Sequence, residues 1–271
     1  MAANILDRIL ETKRKEVEAL RRAAPLEQWQ QRAAEAPPAR NFYAALTRKP
    51  KRLLNLIAEV KRASPSAGVI REDFDPPQIA RQYEQGGASA MSVLTDEEYF
   101  QGSLDYLVAA RSATGLPVLR KDFIIDPLQV YEARAAGADA ILLIVAALTP
   151  GRLLDLMILA TELRMTTLVE VHNADELLRM RSAVGFPLPR YGLLGINNRD
   201  LTTFEVDLGT TLRLLGLVEG DTPVISESGI KTRRDVEKLA DAGCSGILVG
   251  ETLMRSGSVA EGVEQLLGPQ Q

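Results

Sequence analysis

Hydrophobic positions along the chain follow two alternating rhythms. From Leu53 onward, short apolar runs of strand length alternate with longer helical stretches, eight times over. The runs read as strands at 53–61, 89–94, 117–123, 139–145, 166–171, 192–197, 222–227 and 245–250. The stretches that follow them read as helices at 76–86, 103–114, 127–136, 150–164, 174–184, 208–217, 232–242 and 257–267. Runs such as AILLIV are apolar on both faces, as parallel strands must be when helices cover the sheet. Asp126 followed by Pro127, and Thr149 followed by Pro150, set a capping side chain before a proline in a helix's first turn. The segment ahead of Leu53 has a different character. Residues 4–22 read as an amphipathic helix with Ile5, Ile9, Val17 and Leu20 on its apolar side, 33–39 as a break, and 41–47 as a second short helix.

Eight strand–helix units in about 215 residues match the size of a (β/α)8 TIM barrel. A doubly wound dinucleotide-binding sheet would carry GxGxxG after its first strand, and that motif is missing there. The expected organisation is a single domain over 1–271, with 1–50 as an N-terminal helical extension and 51–271 as the barrel.

Barrel enzymes work at the C-terminal ends of their strands. The strand pattern puts Glu59 and Lys61 on one face at the end of the first, and Lys121 with Leu119 and Phe123 at the end of the third. The fifth delivers Glu170 and His172, the sixth Asn197 and Arg199, and the seventh Glu227. Three carboxylates and two ammonium groups at one end are too many for stability alone, since each buried charge costs several kcal/mol before it is paired. The ring therefore reads as an active site for proton transfer. Gly229 in SESG and Gly250 in VGET lie where backbone N–H groups can approach an anion, the usual phosphate position of such barrels. Glu251 is an awkward neighbour for an anion and is expected to serve through its backbone N–H. The loop 62–75, with Ser64, Pro65, Ser66 and Gly68, is long enough for a lid. Phe100 is a candidate apolar wall. Cys244 is expected to pack as a small apolar residue, and His172 to be a loop residue or one that stands behind the site's own residues, rather than a base.

Composition narrows the classes. A net charge of −4 gives no footprint for nucleic acid or an anionic membrane. No apolar run nears the ~20 residues of a membrane span, and the cytoplasm is the expected compartment. One cysteine excludes an internal disulfide, and one histidine argues against a zinc site or a histidine-based triad. With eight lysines against twenty-four arginines, the two lysines at strand ends stand out.

The motifs AEVKRASPSAG, LTDEEYFQGS, LRKDFIID, LVEVH, GINNRDL, VISESGI and ILVGETLM, in this order on successive strands, resemble indole-3-glycerol-phosphate synthase over nearly the whole chain. That resemblance implies conversion of 1-(2-carboxyphenylamino)-1-deoxyribulose 5-phosphate to indole-3-glycerol phosphate with release of CO2 and water, without metal or organic cofactor. It implies Lys121 as general acid and Glu170 as general base. Lys61 would hold the substrate carboxylate and assist proton transfer, with Glu59 beside it. Asn197 and Glu227 would orient hydroxyls and lysines, Ser228 completes the motif, and Arg199 would hold the anthranilate end. Gly229, Gly250 and the backbone of Glu251 would bind phosphate, with Ser64 closing over it, while Phe100, Phe123 and Leu142 would pack on the aromatic ring. Two positions depart from some relatives: Ala63 replaces a lysine and Glu251 a serine, each removing a possible phosphate contact. A neighbouring cation would lower a lysine pKa and adjacent carboxylates would raise it, a balance the sequence leaves open.

The rivals are a phosphoribosylanthranilate isomerase-like barrel, expected to use an early-strand cysteine that this chain lacks, a Schiff-base aldolase using Lys121, and a non-catalytic sugar-phosphate-binding barrel. A monomer is expected, with the N-terminal helix as an intramolecular cover; a dimer contact through its apolar face is the alternative.

Overall fold

The computed structural model describes residues 4–184, 191–201, 203 and 205–269. Its strands are β1 (Asn55–Val60), β2 (Ala90–Leu94), β3 (Val118–Lys121), β4 (Ala140–Ile144), β5 (Thr166–Val171), β6 (Gly192–Asn197), β7 (Val224–Glu227) and β8 (Gly246–Val249). Each pairs in parallel with its sequence neighbours, and β1 pairs with β8 to close the barrel. The helices that follow, from Pro76–Gln85 to Val259–Leu267, cover the outside, as the alternating rhythm predicts. Asp126 and Thr149 cap their helices through side-chain oxygens, each ahead of a proline in the first turn.

Two apolar layers result from strands buried on both faces. The outer layer lies between sheet and helices, with residues such as Leu56, Val93, Ile141 and Val169. The inner layer fills the barrel with Ile57, Leu119, Leu142, Leu168, Leu193, Ile225 and Leu248. This inner plug fixes the height of the site. One step further along the same inward faces, the side chains switch from aliphatic to charged at Glu59, Lys121, Glu170 and Glu227.

Three helices precede the barrel: α1 (Ile5–Ala23), α2 (Leu26–Glu35) and α3 (Phe42–Thr47). Phe42 and Leu46 of α3 are fully buried among the inner-layer residues, and Asn55 Nδ2 donates to the carbonyls of Leu46 and Arg48. α2 lies on helix Pro127–Ala135, with Trp29 against Leu128. α2 is an element that the sequence reading leaves unassigned. Short helices at Glu97–Phe100 and Glu251–Met254, and a small hairpin pairing Ala63–Ser64 with Gly68–Val69, also went unforeseen. Strand β3 ends at Lys121, so Phe123 sits just past it. Among the described residues, no helix is long and apolar enough to cross a membrane.

Candidate active site

A cavity of about 620 Å³ opens at the C-terminal ends of the strands, above the aliphatic plug. Its floor is charged. Lys121 Nζ lies 3.4 Å from Glu170 and 3.3 Å from Glu227, and Lys61 Nζ lies 2.5 Å from Glu59. The alternation of β1 aims Glu59 and Lys61 together, so their ion pair forms inside the cavity rather than across the sheet. Asn197 closes the ring and accepts the backbone N–H of Arg199.

Two glycines make room for these carboxylates. A Cβ at Gly195 would collide with Glu227 Oε1, and one at Gly250 with Glu59 Oε1. At the end of β7 the chain turns through two residues with positive φ, Ser228 at 66° and Gly229 at 78°. A Cβ at Gly229 would strike Val206, so that position needs glycine for both conformation and space. Ser228, without that freedom, holds a conformation that costs energy.

The electrostatics of the floor follow from burial and close pairing. Burial pulls the Lys121 ammonium down, but Glu170, Glu227 and Glu59 more than offset it and hold the group above the ordinary lysine value. Carboxylates therefore win the balance that the sequence leaves open. Burial pushes Glu170 up, and Lys121 and His172 overcome that push and keep it far below the usual carboxylate range. Burial pushes Glu227 up as well; Lys121 opposes this, but the Glu170 carboxylate reinforces it and Glu227 stays raised. Of this coupled pair, Glu170 is the ionised member and Glu227 the one that retains a proton. Neither oxygen of Glu227 has an aligned hydrogen-bond partner, although Lys121 Nζ is near. Burial raises Glu59 too, but the lysines prevail and leave it lowered.

The remaining expected residues line the same cavity. Phe100, Phe123 and Leu142 form an apolar side, with the two phenyl centroids 6.2 Å apart. Ser64 sits on the hairpin after β1, and Ser66 of the same loop lies 3.5 Å from Arg199 Nη1. Gly229 and Gly250 line the cavity as well, as do Lys231 and Arg255. Glu251 lines it too, but its carboxylate pairs with Arg255 at 2.9 Å. All fifteen site residues expected from the sequence thus meet in one space. His172 lies outside the lining, behind Glu170.

The sequence reading missed one wall. Ile5, Leu6 and Ile9 of α1 line the cavity, so the apolar face of the N-terminal helix is used within the chain. The helix is fixed by Lys13, fully buried, with Nζ 2.8 Å from Asp96 and 2.9 Å from Asp122. A signal for this existed. Lys13 stands four residues from both Ile9 and Val17, on the apolar stripe where a lysine needs a buried partner.

The comparisons with known proteins agree with this geometry. A family model described as indole-3-glycerol phosphate synthase matches residues 6–266. The chain is 52% identical over 256 residues to the indole-3-glycerol phosphate synthase of Chloroherpeton thalassium, covering 94% of this chain and 96% of the relative. It is 51% identical over 266 residues to that of Neisseria gonorrhoeae, covering 97% and 99%. Among solved structures it resembles a mutant tryptophan synthase alpha-subunit from Pyrococcus furiosus at a TM-score of 0.59 and 18% identity, covering 82% of this chain and all 100% of that one, a likeness of fold alone. Motif order, the charged floor of the barrel and full-length identity converge: the chain belongs to the indole-3-glycerol phosphate synthase family.

Proposed function

We propose that Lys121 is the general acid and Glu170 the general base with which this enzyme closes the indole ring of 1-(2-carboxyphenylamino)-1-deoxyribulose 5-phosphate. The observation that carries the reading is the position of Lys121, a charged ammonium in a cradle of Glu170 and Glu227 on the cavity floor. In the first step the ring carbon bearing the carboxylate attacks the ketone. The ketone oxygen gains negative charge as the bond forms and takes a proton from Lys121. Loss of CO2 from that carbon restores aromaticity, with Lys61 holding the carboxylate until it leaves. The hydroxyl departs as water with a second proton, supplied by Lys61 once the carboxylate it held has gone, and Glu170 removes the carbon-bound proton that completes the indole. Atoms balance as substrate to product plus CO2 and water.

The charges favour this division of labour. Carboxylates around Lys121 keep it protonated in the free enzyme, and cations around Glu170 keep it ionised. Both groups are therefore in their working states across neutral pH. Phe100, Phe123 and Leu142 pack on the aromatic ring, and Arg199 faces the anthranilate end. Gly229, Gly250, the backbone of Glu251 and Ser64 receive the phosphate. Asn197, Glu59, Glu227 and Ser228 position hydroxyls and lysines. The apolar face of α1 is used as a cavity wall, which supports a monomer as the working unit.

The test is indole fluorescence on mixing the purified chain with the carboxyphenylamino-deoxyribulose phosphate. A rising signal that Lys121→Ala lowers by about 10²–10⁴-fold supports the assignment. A signal that survives the substitution would move the acid to Lys61.

A further inference from the structure

We propose that His172 is a positioning residue, the middle member of a Glu176–His172–Glu170 chain that aims the Glu170 carboxylate and supplies its permanent counter-charge. The inference rests on Glu170 being the base, and it begins from a difficulty in that role. Glu170 is 1% exposed, and its nearest cavity cation is Lys121. Once Lys121 gives its proton to the substrate, that charge is gone. A buried carboxylate without a cation takes up a proton, and Glu227 stands beside it as a donor. The base would then be quenched before its own step.

The geometry supplies a second cation. Lys121 Nζ lies 3.4 Å from Oε2 of Glu170, and His172 Nε2 lies 3.2 Å from Oε1 as a charge contact without an aligned hydrogen bond, so each oxygen has its own positive neighbour. The other ring nitrogen, Nδ1, lies 3.1 Å from Glu176 Oε2. With a carboxylate at both ring nitrogens, only the doubly protonated imidazolium suits the site. Burial pulls the ring down, but Glu170 and Glu176 together carry it up to about 10.

Glu176 is itself fixed. Its Oε2 accepts the backbone N–H of His172 at 2.8 Å, and its Oε1 accepts Asn173 Nδ2 at 2.8 Å. Its own N–H donates to Asn173 Oδ1 at 2.9 Å, in the first turn of helix Ala174–Val184. Among the described residues, Glu170 and Glu176 are the charged groups that face the ring. Lys121 and Glu227 lie beyond Glu170, and Arg179, further along the helix, donates to the carbonyl of Val145. Because His172 is outside the cavity lining, it acts through Glu170 rather than on substrate.

The sequence has one histidine, so tag-free, ¹⁵N-histidine-labelled chain gives one imidazole titration, free of overlap. We expect a ring that stays doubly protonated through neutral pH and titrates near 10, against an ordinary value of 6.5. Glu176→Gln should move that titration down. In His172→Gln, the acidic limb of kcat against pH should rise by about one to three pH units, because a lost cation raises the pKa of the base, while KM stays close to its starting value. A ring that is neutral at pH 8 overturns the proposal, even if the variant fails to fold. So does a His172→Gln profile that falls uniformly at every pH, the mark of a purely structural role. Glu170→Gln with full activity would instead remove the base assignment, an outcome distinct from either.

Discussion

Two lysines, each paired with buried carboxyl groups, have opposite fates. Lys13 joins α1 to the barrel, and Lys121 occupies the cavity floor; Asp122, a partner of Lys13, is the next residue after Lys121. Around Lys13 the contacts are short, 2.8 Å to Asp96 Oδ2, although that oxygen too lacks an aligned hydrogen bond. Asp122 takes Lys13 at 2.9 Å, Arg120 at 3.1 Å, the Thr95 hydroxyl at 2.6 Å and the Phe123 backbone N–H at 2.8 Å. Around Lys121 the contacts lengthen to 3.3 Å at Glu227 and 3.4 Å at Glu170, and Glu227 lacks an aligned hydrogen bond. The two clusters share residue types but differ in contact length and in setting. Short contacts under a packed helix fix structure, whereas longer ones facing a cavity leave capacity for a substrate.

The strongest way to break this comparison is to remove each lysine. Lys121→Ala should cost about 10²–10⁴-fold in rate and leave the chain folded, as circular dichroism would show. Lys13→Met should do the reverse, costing about 3–5 kcal/mol in chemical denaturation because Asp96 stays buried without its lysine and Asp122 keeps only Arg120. Equal losses of stability in the two variants would erase the distinction.

Titration sharpens it further, because the clusters respond to pH with opposite sign. Burial pushes Asp122 up, but Arg120 and Lys13 bring it down to about 2 from an ordinary 3.8. Its contribution is present above about 3.8, is lost as pH falls through about 2, and amounts to roughly 2 kcal/mol. Glu227 is raised, so the fold benefits while it is protonated and loses that benefit as pH rises through its shifted value. Glu227→Gln should therefore raise the thermal midpoint at alkaline pH and lower kcat, and Asp122→Asn should flatten the acid limb of stability. A Glu227→Gln midpoint that falls at alkaline pH would contradict the assignment of the proton.

The smallest effect comes from a site outside both clusters. Gly229→Ala should cost about 1–2 kcal/mol for the left-handed conformation, with further strain against Val206. It should raise KM while leaving the pH dependence of kcat and the acid limb of stability as they were.

The barrel was legible because strand and helix periods repeat and because parallel strands are apolar on both faces. The ring of charged residues was legible for a related reason. Acids and ammonium groups at strand ends break an apolar pattern that packing alone would preserve. Helix α2 was hidden because 26–35 interleaves Trp29 and Ala33 with polar residues and opens at Pro25, which provides no side-chain cap. The helix at Glu97–Phe100 is one turn long and forms around the Asp96 cap, too short for any period to show. The wall from α1 and its Lys13 anchor were missed because their partners, Asp96 and Asp122, lie far away in sequence and pair only once the barrel exists. The charge state of Lys121 depended on distances to three carboxylates on three different strands, which no linear pattern encodes.

The anchoring of α1 also carries a consequence for biosynthesis. The helix leaves the ribosome with its apolar face uncovered, while Asp122 follows Lys13 by about 110 residues, or roughly 5–20 s at ordinary elongation rates. Through that interval the segment that will form one side of the catalytic pocket has no place to dock. Its charged outer face and its modest length then serve as solubility insurance during synthesis, and the pocket is completed last although one of its walls is made first.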